Sequence, residues 1–538
     1  MSDSFTREER AALAPYFTNI DGPVFALVNL PETVKGALFA RYSRSLKSLR
    51  RLFLDEFLPK TGAPLTADAA APDRETASAA VTRAEQLYAR VFSDYGDDSV
   101  AQLGGVHVAC EDASNILTKL LEWGRLMAYL EQSTRYIAYT QRRADHWRYH
   151  VPAELDDVPA LRARYISTLD TAFATYATWI EPMQEYFRAR VPKAEDDSDA
   201  VYRSAIRAKA LDTLRGLLPA ATQSNVGIFG TGQAYEALLL RLRASGLAEA
   251  RAYADLMLTE LRKVIPAFLT RVDQAERGVR WSRYLAESRE ATARVAAEMT
   301  GGLEPEERDE VTLTDFDPEG EVKVVAAALY ASTGLPDDQL LTIARRMSRD
   351  DRLRVLRAYT GDRENRRHKP GRAFERTSYR FDVLTDYGAF RDLQRHRLLT
   401  LEWQPLSARH GYIEPDAIVE AGAQQDWSRV MDASAELDDA LRSAGLASVA
   451  PYSVAMAYRV RFYMEMNARE AMHLIELRTA PQGHPAYRRV CQSMHRLIAE
   501  RAGHEAIAGA MTFADHSAVE LERLKAEREL ERRRQSVG

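Results

Sequence analysis

Cysteine is nearly absent from this chain of 538 residues, which contains only Cys110 and Cys491. Two cysteines cannot build a framework of disulfide bonds, nor a metal site made largely of thiolates. A single reactive cysteine is not excluded, and Cys491 in the stretch RRVCQSMHRL is a candidate nucleophile. Its neighbours Val490 and Met494 favour the alternative, in which Cys491 packs on one side of a helix.

An apolar run long enough to span a bilayer is also missing from the sequence. Residues 1–17 mix acidic and basic side chains where a signal peptide would need an uninterrupted apolar core, so the protein is expected to be cytoplasmic. Neither sign of charge dominates, because 73 Lys and Arg against 78 Asp and Glu give a net charge of -5. We therefore expect no general binding to nucleic acid or to a membrane, and any anion site must be local.

The rest of the composition is that of a folded protein, with 46% hydrophobic and 28% charged residues. A chain of this length is too long for one ordinary core, so several domains are expected. Residues 301–321 combine glycine, proline and dense acidic residues, as a linker does. The predicted divisions are a first lobe with a helical N-terminal extension (1–300), the acidic linker (301–321), a second lobe (322–510) and a charged helical tail (511–538).

Most of the chain shows helical patterns, and a strand is predicted around residues 106–109. A glycine-rich stretch, GIFGTGQA from Gly227, has the spacing G-x-x-G-x-G. It follows no convincing strand, so it predicts a loop that enters a helix rather than a phosphate-binding loop.

Three side chains that can carry positive charge stand together at Arg395, His396 and Arg397. Apolar residues recur at helical spacing from Phe390, which predicts a helix with Arg395 and His396 on its polar face. Such a cluster suits an anion. The alternative is a solvated surface on which Asp392 pairs with Arg395 or His396.

A second polar segment, MNAREAMHLIELR from Met466, reads as a long helix. Arg478 follows Asn467 by eleven helical steps, so their side chains would lie about 20° apart on one stripe and about 16 Å apart along the axis. Glu470 shares that stripe, whereas His473 points about 120° away and would serve a neighbouring wall or only pack. Glu470 and His473 form half of a di-iron motif, but the chain has no second copy, so no metal is predicted. The alternative is an amphipathic helix with a polar surface.

The run RHR followed by Thr400 resembles the RHR-x-x-S signature of flavin-dependent thymidylate synthases, and the segment from Met466 resembles that family's second motif. Two motifs in the right order are more specific than one tripeptide. The resemblance implies an α+β, helix-rich fold of two tandem thymidylate-synthase-complementing-like lobes, with antiparallel sheets packed by long helices. It also implies reductive methylation of dUMP to dTMP with FAD, methylenetetrahydrofolate and NADPH.

The family's motifs are divided between the two halves of the chain. The first half contains EQSTRY from Glu131 and LRGLLP from Leu214, but Asp97 replaces a family histidine and Trp123 stands where RHR would begin. The second half keeps RHR, whereas its S-x-R element is displaced to the stretch SAR from Ser407. Each half therefore retains positions that the other has lost, which predicts one composite site between them.

Site roles are implied by the resemblance, one residue at a time. Arg478 would polarise the uracil ring. The flavin would be held by His368, Arg395, His396, Arg397, Asn467 and His473. The nucleotide would be bound by Glu131, Ser133, Arg135 and Arg215, with a turn or strand at 133–135. Because the family assembles its sites from the subunits of a tetramer, two such chains are expected to form a homodimer of four lobes.

Two other functions remain open at this point. The chain could be a catalytically inactive paralogue that still binds flavin or a nucleotide, which the replacement at Asp97 favours. It could also be a flavoenzyme that acts on another pyrimidine nucleotide, since Trp403, Gln404 and Pro405 alter a segment expected to contact the nucleotide.

Overall fold

The computed structural model describes residues 4–58 and 102–518, except 24, 43, 44, 46, 135, 136, 144, 145 and 196, together with residues 524, 528, 531 and 532. In chain order the helices are α1 (Arg7–Leu13), α2 (Glu32–Tyr42), α3 (Leu49–Leu52), α4 (Asn115–Leu121), α5 (Pro159–Arg190), α6 (Asp199–Leu214), α7 (Gly232–Arg243), α8 (Ala248–Leu261), α9 (Arg280–Thr300), α10 (Gly320–Tyr330), α11 (Asp337–Arg346), α12 (Arg349–Thr360), α13 (Tyr387–Leu393), α14 (Asp416–Glu420), α15 (Gln424–Ser443), α16 (Ala468–Arg478), α17 (Pro485–Glu500) and α18 (Glu505–Gly509). The strands are β1 (Gly105–Ser114), β2 (Met127–Glu131), β3 (Arg142–Arg143), β4 (His146–Trp147), β5 (Gln223–Thr231), β6 (Val311–Phe316), β7 (Ser378–Asp386), β8 (Thr400–Trp403) and β9 (Arg459–Asn467).

The chain forms two compact units that are not continuous in sequence. The first unit consists of residues 1–111, 124–131 and 225–303. The second consists of residues 112–123, 132–224 and 304–538. The second unit therefore includes much of the first half of the chain. None of the described helices combines the length and the apolar character needed to cross a bilayer.

A three-stranded sheet in the order β1–β5–β2 lies mainly in the first unit. β2 and β5 are antiparallel, with Met127 opposite Gly230 and Glu131 opposite Val226. The strand predicted around residues 106–109 is confirmed as part of β1. The stretch GIFGTGQA enters a helix as predicted, because α7 begins at Gly232, but Gly227 and Gly230 lie inside β5 and not in a loop. The strand was missed because glycine interrupts the apolar pattern by which strands are recognised.

A four-stranded antiparallel sheet in the order β6–β7–β9–β8 organises the second unit. In β9, every second side chain is buried, among them Phe462 and Met464, so one face of the sheet faces the core. β7 is followed directly by α13, and β9 by α16. Asp386 and Asn467 cap these helices, since their side-chain oxygens accept the N–H groups of residues 389 and 470, each at 2.9 Å.

The antiparallel pairing of β7 with β9 decides where the two capped helices meet. Asp386 lies opposite Arg459, whereas Ser378 lies opposite Asn467, so α13 and α16 begin at opposite ends of the strand pair. Both helices run back from their strands, and the last residue of α16, Arg478, reaches the carbonyl oxygen of Asp392 at the end of α13. This meeting point brings the two polar sequence segments together.

The bounds of two predicted helices differ from the prediction: α13 ends earlier, and α16 begins later. α13 ends at Leu393, so Arg395, His396 and Arg397 follow the helix instead of lying on its polar face. The helix stops because the chain must turn to enter β8, where Thr400 lies opposite Glu465 of β9. Asn467 is likewise outside α16, as its N-cap rather than as part of its stripe.

The fold class expected from the sequence is confirmed as helix-rich α+β with antiparallel sheets. The stretch predicted as an acidic linker nevertheless includes β6, whose Val311 lies opposite Val383 of β7. The acidic residues before it had hidden a short strand with alternating burial. The lobe boundaries themselves stay a prediction.

Candidate functional site

A group of charged and imidazole side chains occupies the meeting point of α13 and α16, inside the second unit. We call it the polar cluster. Its members are Asp392, Arg395, His396, Glu470, His473 and Arg478.

Arg478 is held at several atoms of its guanidinium group. Its Nε donates to Nε2 of His396 at 2.9 Å, and its Nη2 donates to the carbonyl oxygen of Asp392 at 2.5 Å. Nη1 lies 3.8 Å from Oδ1 of Asp392. Because several bonds fix a planar group, the orientation of Arg478 is set by the protein.

The bond from Arg478 determines where the proton of His396 is. Nε2 must offer a lone pair to Arg478, so the ring proton is on Nδ1, which lies 3.3 Å from Oε1 of Glu470. Burial, assisted by the charge of Arg478, lowers the pKa of His396 well below its usual value and keeps the ring neutral. Glu470 thus orients His396, and His396 orients Arg478.

His473 lies beside His396, with 5.5 Å between the ring centroids. Burial lowers the pKa of His473 to about 4. α16 presents Glu470 and His473 at positions i and i+3, so both side chains reach His396 from one side of the helix.

The donor atoms of His396, Glu470 and His473 lie within 4.8 Å of one another, and imidazole and carboxylate are ligand types that divalent metals use. A metal on Nδ1 of His396 would move its proton to Nε2, where Arg478 already donates. Lys369 adds positive charge near Glu470 and His473. The cluster therefore fits a network of hydrogen bonds better than it fits a cation.

Asp392 is surrounded by three arginines. Its carboxylate lies 3.4 Å from Arg395 Nη2, 3.6 Å from Arg215 Nη1 and 3.8 Å from Arg478 Nη1. These three guanidinium groups outnumber the carboxylates of Asp392 and of Asp386, which lies 4.0 Å from Arg215, so positive charge is in excess. The surface ion pair considered from the sequence is thus part of a larger, half-buried group of charges.

Arg215 connects the polar cluster to a cavity of about 390 Å³ in the second unit. The residue is only 4% exposed, and its Nη2 has no hydrogen-bond partner among the described residues. Nη2 lies 4.0 Å from Oδ1 of Asp386, whose pKa is raised by burial. The cavity is also lined by Lys209, Asp212 and Arg489. A buried donor without an acceptor is costly, so a ligand oxygen at this place would stabilise Arg215.

Three of the residues predicted to hold the flavin, His368, Arg397 and Asn467, are not members of the polar cluster. The ring of His368 contacts its own loop, at the N–H of Glu364 (3.4 Å) and the amide of Asn365 (3.0 Å). Arg397 is exposed and acts on the charge of Glu470. The amide oxygen of Asn467 is used in capping α16.

The predicted nucleotide residues of the first half are distributed over both units. Glu131 is the buried last residue of β2 in the first unit. Ser133 is half-buried in the second unit, where residues 132 and 133 have no regular structure. Arg135 and Asp97 lie outside the described residues. The fourth predicted nucleotide residue, Arg215, has a described contact with the polar cluster, through Asp392.

Sequence reasoning missed Lys369 and the contact of Glu470 with His396, whereas the pairing of Asp392 with Arg395 had been considered. Glu470 had been placed on the right stripe, and its spacing from His473 was the available signal. Nothing local indicates its bond to His396, which is 74 residues away in sequence. Cys491 is fully buried, and burial raises the pKa of its thiol to about 12, in agreement with the packing alternative.

The fold and the polar cluster together define a helix-rich α+β protein in which three arginines gather around one carboxylate. The model of the family described as thymidylate synthase complementing protein matches residues 60–267 and, a second time, residues 312–502. This chain belongs to the thymidylate synthase complementing protein family, with the family's domain present twice in tandem. The resemblance drawn from the two motifs is thereby confirmed.

Two UPF0159 proteins match almost the whole chain. That of Chlamydia muridarum is 37% identical over 528 residues, covering 97% of this chain and 98% of the relative. That of Thermoplasma acidophilum is 29% identical over 523 residues, covering 92% and 97%. Both relatives therefore span the same two matched regions.

More distant matches cover one part of the chain. A flavin-dependent thymidylate synthase of Clostridium tetani is 24% identical over 181 residues, covering 33% of this chain and 67% of the relative. Among solved structures, a UMP/dUMP methylase of Streptomyces cacaoi bound with 5-Br dUMP has 21% identity and a TM-score of 0.28, covering 37% of this chain and 94% of that chain.

Proposed function

We propose that this chain methylates the uracil ring of dUMP to give dTMP, using FAD, methylenetetrahydrofolate and NADPH. The observation that carries the proposal is the set of three arginines around Asp392, one of which, Arg215, is buried with an unsatisfied donor. Membership of the thymidylate synthase complementing protein family supports the choice of reaction.

The excess positive charge supports a nucleotide phosphate as the ligand. A phosphate oxygen would satisfy Nη2 of Arg215 and would offset the cost of holding several guanidinium groups close together. The neighbouring cavity, of about 390 Å³, is within the size range of pockets for small molecules. The roles of Glu131, Ser133 and Arg135 in binding the same nucleotide remain part of the proposal.

The fixed orientation of Arg478 suits the polarisation of the uracil ring. Methylation at the ring requires negative charge to develop on a carbonyl oxygen, and a donor aimed in advance stabilises that charge without reorganising. His396 holds Nε of Arg478, and the carbonyl oxygen of Asp392 holds Nη2. The remaining donors of the same group would contact the substrate.

The residues near the polar cluster fit a flavin. FAD, when bound, supplies the hydride that this methylation needs. Neutral rings at His396 and His473 can lie beside an uncharged isoalloxazine, while Arg395 and the exposed Arg397 can pair with its phosphates. Asn467 would have to use its NH2 group, since its oxygen caps α16.

The proposal is tested with the purified full-length protein. We expect flavin bands in the visible spectrum that bleach when NADPH is added. We further expect release of tritium from 5-tritiated dUMP when methylenetetrahydrofolate is present. Arg478→Ala should reduce tritium release by about a thousandfold, the order of magnitude for a donor that stabilises developing charge.

The matched control is Arg354→Ala on α12, since the side chain of Arg354 is 82% exposed and its described ion pair is with Asp351 of the same helix. This variant should release tritium at the native rate. Full turnover in Arg478→Ala would disprove the role given to that residue. A protein that binds neither flavin nor dUMP would disprove the proposed function as a whole.

A non-catalytic binding protein is the second candidate, and a pair of tryptophans favours it. Trp123, which stands where the first half should have RHR, donates from Nε1 to the carbonyl oxygen of Leu401 at 3.3 Å. Its ring packs edge-on against Trp403 at 5.6 Å. Aromatic packing thus replaces polar recognition there. Bound dUMP without flavin or tritium release would support this candidate, and bound flavin without tritium release would support another pyrimidine substrate.

A further inference from the structure

Helix α9 carries an apolar stripe that none of the described residues of its own unit covers. Along the helix, Ser282 is the one buried residue, and residues 287–300 are exposed on every side. Four large apolar side chains are exposed nevertheless: Trp281 (54%), Tyr284 (64%), Val295 (54%) and Met299 (68%). At 100° per residue these four fall within an arc of about 60°.

The stripe is turned away from the part of the first unit that holds α9. Ser282 is buried, and Arg289 donates from Nη1 to the carbonyl oxygen of Ala244 at 3.1 Å. Both residues are about 80–100° around the helix from Trp281, on the side opposite to Tyr284 and Val295. The stripe and its far flank are therefore open to a partner.

A helix in this situation needs packing from outside. Fourteen exposed residues in succession, 287–300, are too few for a helix that is stable in water by propensity alone. In proteins, most of the stability of such helices comes from burying an amphipathic face. A partner that covers Val295 and Met299 would supply that contribution.

The charges beside the stripe identify the partner. Glu287 and Arg294 lie on its open flank, seven residues apart, and neither has an ion-pair partner among the described residues. If a second α9 lies antiparallel on the first, the register that places Trp281 against Met299 also places Glu287 within one residue of Arg294 of the second copy. The two-fold axis makes each contact occur twice.

We propose that α9 is a self-association surface, on which two copies of this chain pair antiparallel through the stripe of Trp281, Tyr284, Val295 and Met299. The pairing of Glu287 with Arg294 across the axis fixes the register. Glu287 and Arg294 complement each other when two copies of α9 pair antiparallel, and an unrelated partner would not require this match. This inference depends on α9 alone and is independent of the reaction proposed above.

Sedimentation velocity of the full-length protein over a dilution series tests the proposal. The native chain should form a reversible dimer. Val295→Asp with Met299→Asp should raise the dimer dissociation constant at least about tenfold, because two carboxylates would enter the apolar stripe. Ala297→Asp is the matched control, as Ala297 is exposed on the opposite side of α9, and it should dimerise like the native chain.

Charge reversal tests the register. Glu287→Arg or Arg294→Glu alone would place like charges together twice, so each should weaken the dimer. The two changes combined in one chain should restore the dissociation constant to within about threefold of the native value. A native chain that stays monomeric, a dimer unaffected by the two aspartates, or a combined variant no tighter than the single ones would overturn the proposal.

Discussion

Nε of Arg478 and Nε2 of His396 lie 2.9 Å apart, so the position of one guanidinium group depends on the tautomer of one imidazole ring. The ring is in turn held at Nδ1 by Glu470, for which no contact with Arg478 is described. A carboxylate therefore positions an arginine through a histidine that separates the two charges.

The first prediction concerns Glu470. Glu470→Ala removes the acceptor for Nδ1 of His396, so the ring can adopt the other tautomer and release Arg478. We expect kcat for tritium release from dUMP to fall about tenfold or more, with a smaller change in KM. Glu470→Gln keeps an oxygen that can accept from Nδ1–H and should retain most of the activity. Equal losses in the two variants would contradict this role, because they would show that the negative charge of Glu470, and not its acceptor oxygen, is required.

The second prediction concerns Gly388, at the start of α13. A Cβ there would lie 2.9 Å from Nε of Arg215 and 2.9 Å from Oδ1 of Asp386. Gly388→Ala should therefore displace Arg215 and weaken dUMP binding about tenfold in equilibrium titration, or about 1.4 kcal/mol. Gly509→Ala, where a Cβ meets nothing within 4 Å, is the control and should bind normally. Unchanged affinity in Gly388→Ala would remove Arg215 from the nucleotide site.

The third prediction concerns the ion pair between Arg363 and Glu476. Two parallel bonds of 2.7 and 2.6 Å join them, and the side chains are 2% and 1% exposed. The pair attaches the loop that carries His368 to α16. Glu476→Ala would leave a buried guanidinium without its partner, so the free energy of unfolding should fall by about 3–5 kcal/mol in urea denaturation. A loss below about 1 kcal/mol would indicate that water enters and solvates Arg363.

The fourth prediction concerns the pH dependence of stability at His473. Its pKa is about 4 in the folded chain against an ordinary 6.5, so the unfolded chain binds a proton that the folded chain refuses. Stability should therefore fall as the pH drops from about 6.5 towards 4, by up to about 1.4 kcal/mol for each unit of pH. The raised pKa of Glu470 acts in the opposite direction. His473→Gln should lose less stability than the native chain over this range, and parallel urea midpoints would contradict the assignment.

The sequence predicted the charges of the site better than their geometry. Arg478 and His396 could be assigned to one site because each belongs to a recognisable motif. Their direct bond could not be predicted, since it depends on the antiparallel register of β7 with β9, in which Asp386 lies opposite Arg459. Periodicity alone extended α13 through Arg395, because the turn into β8 is imposed by pairing with distant Glu465.

The partition of the chain was harder to predict than its elements. Helices and most strands have local patterns, whereas the membership of a compact unit is decided by contacts far apart in sequence. Tyr387, for example, donates from its hydroxyl group to the carbonyl oxygen of Asn115 at 2.9 Å, within the second unit. No local pattern connects two residues separated by 272 positions.

The strand within the acidic stretch limits how this gene can be divided. Expression of residues 322–538 by themselves would omit β6 and leave the edge of β7 bare, ready to pair with other molecules. It would also omit residues 132–224, which pack inside the same unit. Two half-genes should therefore yield soluble protein only when both are translated in the same cell, and each alone should precipitate.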